Sequence, residues 1–173
     1  MKQAMAAFLF CVLVVLGNQL RAATLPDACG DDKTKVDVAA HEPSSAPPTA
    51  NATSATLVFV QRLVESCIGC SVTRVGLDGT WIGANKGASF FPVTTAPGEH
   101  HVCAFWEAPG ARIENKIGLT ELEALAGQIY YFEIEIGPRS TGEFAMRLKP
   151  ISADMGAFFV SRSKQSVATP KSN

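Results

Sequence analysis

Cys67 and Cys70 enclose two residues, Ile68 and Gly69. That spacing serves three chemistries: a thiol redox pair, half of a zinc site, or structural disulfides. A redox pair wants its first cysteine at a helix N-terminus, which stabilises the thiolate. Here the pair follows an apolar segment and runs directly into another, Val72 to Leu77, with no strand–helix–strand context. Zinc needs further ligands, and His100, His101 and Cys103 stand on a later segment. If that segment is a strand, alternation puts His101 and Cys103 on one face and His100 on the other, so at most two converge. Structural bonding is the plainest reading. It pairs Cys103 with Cys67 or Cys70 and leaves Cys29 to the other cysteine or to itself.

Other catalytic patterns fall short. No serine sits in a Gly-x-Ser-x-Gly elbow, so a hydrolase triad has no anchor. The series Gly76, Gly79, Gly83 and Gly87 is spaced like a phosphate loop. However, Lys86 precedes the last glycine, and a strand follows where a helix N-terminus is required. These glycines read as hairpin and bulge positions. Glu133 and Glu135 share a strand face as paired carboxylates would, but an exposed polar face gives the same pattern. The His100–His101 pair reads as one turn-bound and one exposed imidazole. No catalytic residue, cofactor or metal is therefore expected. The expected contact surface is the hairpin region from Asp78 to Phe91, presenting Trp81, Asn85 and Lys86.

These residues need a scaffold, and the chain supplies one after an apparent address. Ala4 to Leu16 is an uncharged run of 13 residues preceded by Lys2 and followed by Ala22 and Ala23. A positive start, a short apolar stretch and a small-residue exit are the parts of a signal peptide, read here as residues 1–22. The run is shorter than the roughly 18 residues of a membrane span. The expected location is extracytoplasmic, periplasmic or secreted, with no transmembrane span after cleavage. Without residues 1–22 the chain carries 13 basic and 16 acidic side chains and four cysteines: Cys29, Cys67, Cys70 and Cys103. An even cysteine count in an exported chain first suggests disulfides. The whole chain, 173 residues with 15 basic and 16 acidic, lacks the basic excess of a nucleic-acid binder.

Residues 23–40 read as an N-terminal extension in which Lys35 to Ala39 alternates like a short edge strand. Residues 41–54 hold three prolines and no large apolar side chain, so they read as a linker. From residue 55 to residue 162 the apolar period is near two, with turn residues every 8–12 positions. That pattern predicts an antiparallel β-sandwich of seven to eight strands. Thr56 to Leu63 is apolar on both faces, as in a central strand. Asp78-Gly79 marks a tight hairpin, because both central positions need positive φ. Phe132, Ile134 and Ile136 face one way from Ile129 to Ile136; Phe144, Met146 and Leu148 face in from Glu143 to Ile151. Ile113, Ile117 and Leu119 fit a strand, while Thr120-x-x-Glu123 offers a capping box for one helical turn. Met155, Phe158 and Phe159 predict a short C-terminal helix closing one end of the sheet. Residues 163–173 read as a flexible tail.

The order of short motifs is familiar: Ala55 to Val60 (ATLVFV), Arg74 to Gly79 (RVGLDG), Trp81 to Gly87 (WIGANKG), Phe90-Phe91, Pro97 to His101 (PGEHH), and Ala126 to Gln128 before Tyr130 to Phe132. Over residues 55–150 this resembles domain-of-unknown-function family 2846 of exported bacterial envelope proteins. More loosely it resembles a PEGA-type sandwich. Many relatives in that family are lipoproteins, and no lipobox cysteine is found here. The resemblance implies a non-catalytic binding or structural module that meets an envelope component, protein or glycan. The alternative is an exported redox or zinc protein using Cys67 and Cys70.

Overall fold

The computed structural model describes residues 24–42, 48–62 and 72–171. The expected signal peptide and the Cys67–Cys70 pair lie outside them. No helix among the described residues is long and apolar enough to cross a membrane.

The protein is a β-sandwich. Ten strands are described: β1 (Val36–His41), β2 (Ala55–Gln61), β3 (Val72–Leu77), β4 (Thr80–Lys86), β5 (Ser89–Thr95), β6 (Gly98–Trp106), β7 (Ile117–Ala124), β8 (Ile129–Pro138), β9 (Phe144–Ile151) and β10 (Lys164–Pro170). One sheet has the order β1-β10-β5-β2-β8-β9, the other β4-β3-β6-β7. Two pairings, β2 with β8 and β10 with β5, are parallel, so the larger sheet is mixed where an antiparallel one was expected. The cause is the chain's route. β2, β5 and β8 are separated by excursions into the other sheet, and no hairpin dictates their direction.

β2 is buried throughout, as its two-sided apolar pattern requires. Leu57 and Phe59 join the core between the sheets, and Val58 and Val60 join a second cluster on the outer face. Phe59 stacks between Phe91 (5.3 Å) and Phe132 (5.2 Å), its partners in register on β5 and β8. Such ring pairs add about 0.5–1.5 kcal/mol each beyond their buried area. The outer cluster is covered by α2 (Ala153–Val160). Ser152 caps this helix, its side-chain oxygen accepting from the Met155 amide. The helix lies across β8 and β2 and does not close the sheet's end. Gly156 and Val160 face in, since a Cβ at Gly156 would meet the Tyr131 ring, and Met155 and Phe158 stay exposed.

Three further expectations are corrected. The segment read as a tail contains β10, which pairs with β1 over six residues from Val36↔Pro170 to His41↔Gln165. Each strand supplies the partner that makes the other regular, and neither has a strong apolar pattern alone. The region from Ile113 starts with one helical turn, α1 (Ile113–Lys116), but Thr120 and Glu123 lie within β7. Eight paired residues along β6 outweigh a single capping box there. Phe144, at the start of β9, is exposed, because it pairs with Pro138 near the β8–β9 turn while Met146 and Leu148 reach the core.

Candidate functional site

The outer face of the smaller sheet carries the segment before β1. Cys103, mid-way along β6, is disulfide-bonded to Cys29 at a Cα–Cα distance of 5.1 Å. The expected partners Cys67 and Cys70 are thus replaced by Cys29. The reason lies in β3, where Gly76 pairs with Cys103. A Cβ at Gly76 would stand 2.9 Å from the Ala28 carbonyl oxygen and 3.0 Å from Cys29 Cα. The bare glycine opens the slot that the Cys29 loop fills. Val72, the first described residue after Cys70, lies four residues from Gly76, about 13 Å along the strand.

The same segment captures Trp81. Its indole Nε1 donates to the Asp31 carbonyl at 2.8 Å, and its ring lies against Gly30. Over that ring, 4.3 Å from its centroid, sits the guanidinium of Arg74, which is also 5.2 Å from the Phe105 ring. Arg74 is 2% exposed. Its Nη1 donates to the Thr34 carbonyl at 2.5 Å, and its Nε stands 2.8 Å from Glu107 Oε1. That last contact is an ion pair whose N–H points off the line of a hydrogen bond. Burial pulls the Arg74 pKa down, against Glu107, Asp32 and Asp31, which hold it up. A guanidinium so placed remains charged.

Beside Arg74 opens a cleft of about 450 Å³. Leu25, Asp32 and Lys35 of the N-terminal segment form one wall, Arg74, Phe105 and Glu107 the floor, and Ala108, Pro109, Ile113 and Lys116 the other wall. It is an open cleft whose lining mixes apolar side chains (Leu25, Phe105, Ile113) with charged ones (Asp32, Lys35, Arg74, Glu107, Lys116).

The expected surface Trp81, Asn85 and Lys86 is not assembled as a surface. Trp81 is committed to Asp31 and Arg74. Asn85 is fully buried. Its Nδ2 donates to the Phe59 carbonyl at 3.2 Å, and its Oδ1 accepts from Ser89 (3.1 Å) and Ser166 (2.7 Å). It ties β4 to β2, β5 and β10. Lys86 alone is exposed.

Asp78, His100 and Thr95 resemble a triad at first sight. His100 Nδ1 lies 2.6 Å from Asp78 Oδ2, and Nε2 lies 3.3 Å from Thr95 Oγ1. Nε2 also stands 2.9 Å from the Ala96 carbonyl oxygen, an acceptor only. With an acceptor at each nitrogen the imidazolium is favoured. Burial opposes this, but Asp78 and the Ala96 carbonyl outweigh it and raise the His100 pKa. Asp78 is held below the ordinary carboxylate range: burial works against its charge, and His100 and the His101 amide overcome that. When Nδ1 donates to Asp78 and Nε2 to the Ala96 carbonyl, no lone pair is left to activate Thr95. The constellation clamps the hairpin instead: Asp78 (φ 49°) and Gly79 (φ 84°) occupy the positive-φ turn, and Asp78 Oδ1 accepts from the His101 amide. His101 is exposed, 3.8 Å from Glu121. The two imidazoles thus take opposite faces, as strand alternation requires.

Glu133 and Glu135 are each occupied, Glu133 by Arg62 at 3.0 Å and Glu135 by Lys149 and Arg147. Among the described residues no group of three or more histidine, cysteine, aspartate or glutamate side chains is placed to hold a metal ion. Sequence reading missed Arg74, Glu107 and the cleft. The available signal was a cation inside the apolar strand Val72 to Leu77, which needs a partner wherever it is buried.

Compared with family models, curated proteins and solved structures, the chain matches none.

Proposed function

We propose that this chain is an exported, non-catalytic β-sandwich module of the bacterial cell envelope. In this reading it holds another envelope component, protein or glycan, in the cleft beside Arg74. The observation that carries it is the cleft's construction. One wall is a separate segment fixed to the sheet by the Cys29–Cys103 disulfide, by Trp81 on Asp31 and by Arg74 on Thr34. A wall anchored three times is pre-organised, which lowers the entropy lost on binding.

Export is supported by the 13-residue apolar run and by a disulfide, a bond that persists in oxidising compartments. The order of short motifs from residue 55 supports a place beside domain-of-unknown-function family 2846. The non-catalytic reading is supported by His100, whose two nitrogens are spent on Asp78 and Ala96.

A photo-crosslinking side chain in place of exposed Pro109, on the cleft wall, tests this in intact cells, with the same group at exposed Thr141 as control. The expected result is a discrete adduct from position 109 only, on a mature chain beginning at Ala23. Equal yields from both positions reject the cleft as the binding site. A mature chain retaining Met1 rejects export by signal cleavage. The competing reading, a redox or zinc protein using Cys67 and Cys70, rests on those two cysteines remaining once Cys29 and Cys103 are joined. Stoichiometric zinc or reductase activity lost in Cys70→Ser would favour it.

A further inference from the structure

Resting on the cleft as the binding site, we propose that its ligand carries a single carboxylate on an apolar body. The charge inventory is the starting point. Arg74 and Glu107 neutralise each other on the floor. Of the remaining charged side chains lining the cleft, Lys35 and Lys116 are cationic and Asp32 is anionic. The balance is one positive charge. Neither lysine makes an ion pair or side-chain hydrogen bond with a described residue, a state they share with exposed Lys33, Lys86 and Arg139; what sets them apart is that both line the same cleft.

Lys116 is moreover half-buried at the end of α1, so part of its hydration is already lost. An anion arriving there gains more than it would from a fully solvated ammonium. One carboxylate cancels the cleft's surplus. A dianion overshoots it and faces Asp32. Alongside the Arg74–Glu107 pair, the lining also offers Leu25, Phe105 and Ile113 as a place for an aliphatic or aromatic body. A fully hydrated ion such as inorganic phosphate leaves that surface unused.

The test is an NMR titration of the disulfide-bonded mature protein with phenylacetate, phenylacetamide, phenethylamine and inorganic phosphate. The reporters are the Trp81 indole N–H, whose ring lies against the cleft-lining Arg74 guanidinium, and the amides of Lys35, Phe105, Ile113 and Lys116. Phenylacetate is expected to give saturable shifts at these positions. The neutral amide, the amine and phosphate should each bind at least tenfold more weakly. Lys35→Gln with Lys116→Gln should weaken phenylacetate at least tenfold, with the remaining spectrum unchanged because neither ammonium is paired within the fold and Gln keeps most of each aliphatic stem. Lys116→Arg should retain binding.

Phenylacetamide or phenethylamine binding as tightly as phenylacetate overturns the proposal. So do equal affinity in the double glutamine variant, no saturable shift at the reporters, and phosphate matching phenylacetate. A specific crosslink from position 109 with silent phenylacetate rejects the ligand class alone; loss of both rejects the cleft as well.

Discussion

Removing the bond between Cys29 and Cys103 should be the costliest single change on the outer face of the smaller sheet. The residues are 74 positions apart. The chain-entropy model gives a closed loop of that length about 4–5 kcal/mol of stabilisation. For a domain of this size that is a fall in melting temperature on the order of 10–15 °C. The clean comparison uses a background carrying Cys67→Ser and Cys70→Ser, so that no thiol exchange intervenes, and adds Cys29→Ser with Cys103→Ser. Urea denaturation gives the free-energy difference. A second readout separates local from global effects. In the native baseline, the loosened segment should free the indole N–H of Trp81 from the Asp31 carbonyl, changing its amide-type hydrogen exchange before the sheet unfolds. A stability change below about 1 kcal/mol would refute the reasoning, because other contacts would then be enough to hold the segment without the bond.

Two further outcomes are expected. His100→Gln should destabilise by about 1–2 kcal/mol through loss of the charged hydrogen bond to Asp78. The raised His100 pKa means its contribution is complete below an unfolded value near 6.5 and fades as pH rises through the folded value. The lowered Asp78 pKa means its contribution is present above about 3.8 and fades as pH falls through the folded value. The wild-type advantage should therefore be widest between roughly pH 4 and 6.5, and a flat difference from pH 5 to 9 would contradict the clamp. Arg74→Met should cost about 2–4 kcal/mol, since Glu107 and the Thr34 carbonyl lose their cation. Adding Glu107→Gln should recover part of that loss; no recovery in the double-mutant cycle would show that the pair is not coupled.

Legibility in the sequence followed the range of the interaction. The two-sided burial of β2, the positive-φ turn at Asp78-Gly79 and the alternation of Phe132, Ile134 and Ile136 are local patterns, and each is found where its pattern put it. β10 was not legible, because Lys164 to Pro170 holds only one large apolar residue, Val167, and that residue is exposed. Its strand character comes from β1, more than 120 positions earlier. Asn85 was misplaced for a related reason. A polar residue in a turn-rich stretch reads as surface until Ser166 arrives to saturate it. The cleft joins Lys35, Arg74 and Lys116, which lie far apart in sequence and meet only because the N-terminal segment folds over the sheet.

The pairing of β1 with β10 also sets an order of events for a chain delivered N-terminus first. β1 has passed by residue 41, yet its partner ends at residue 170. Cys29 meets Cys103 well before that, so the covalent staple can close while β1 still waits as an unpaired edge. Such an edge invites pairing with any other extended chain nearby. The last-delivered strand is therefore the one that links β1 to the sheet, and a chain interrupted before Lys164 would carry its disulfide and its core while leaving β1 unpaired and the β5 edge open to a passing strand.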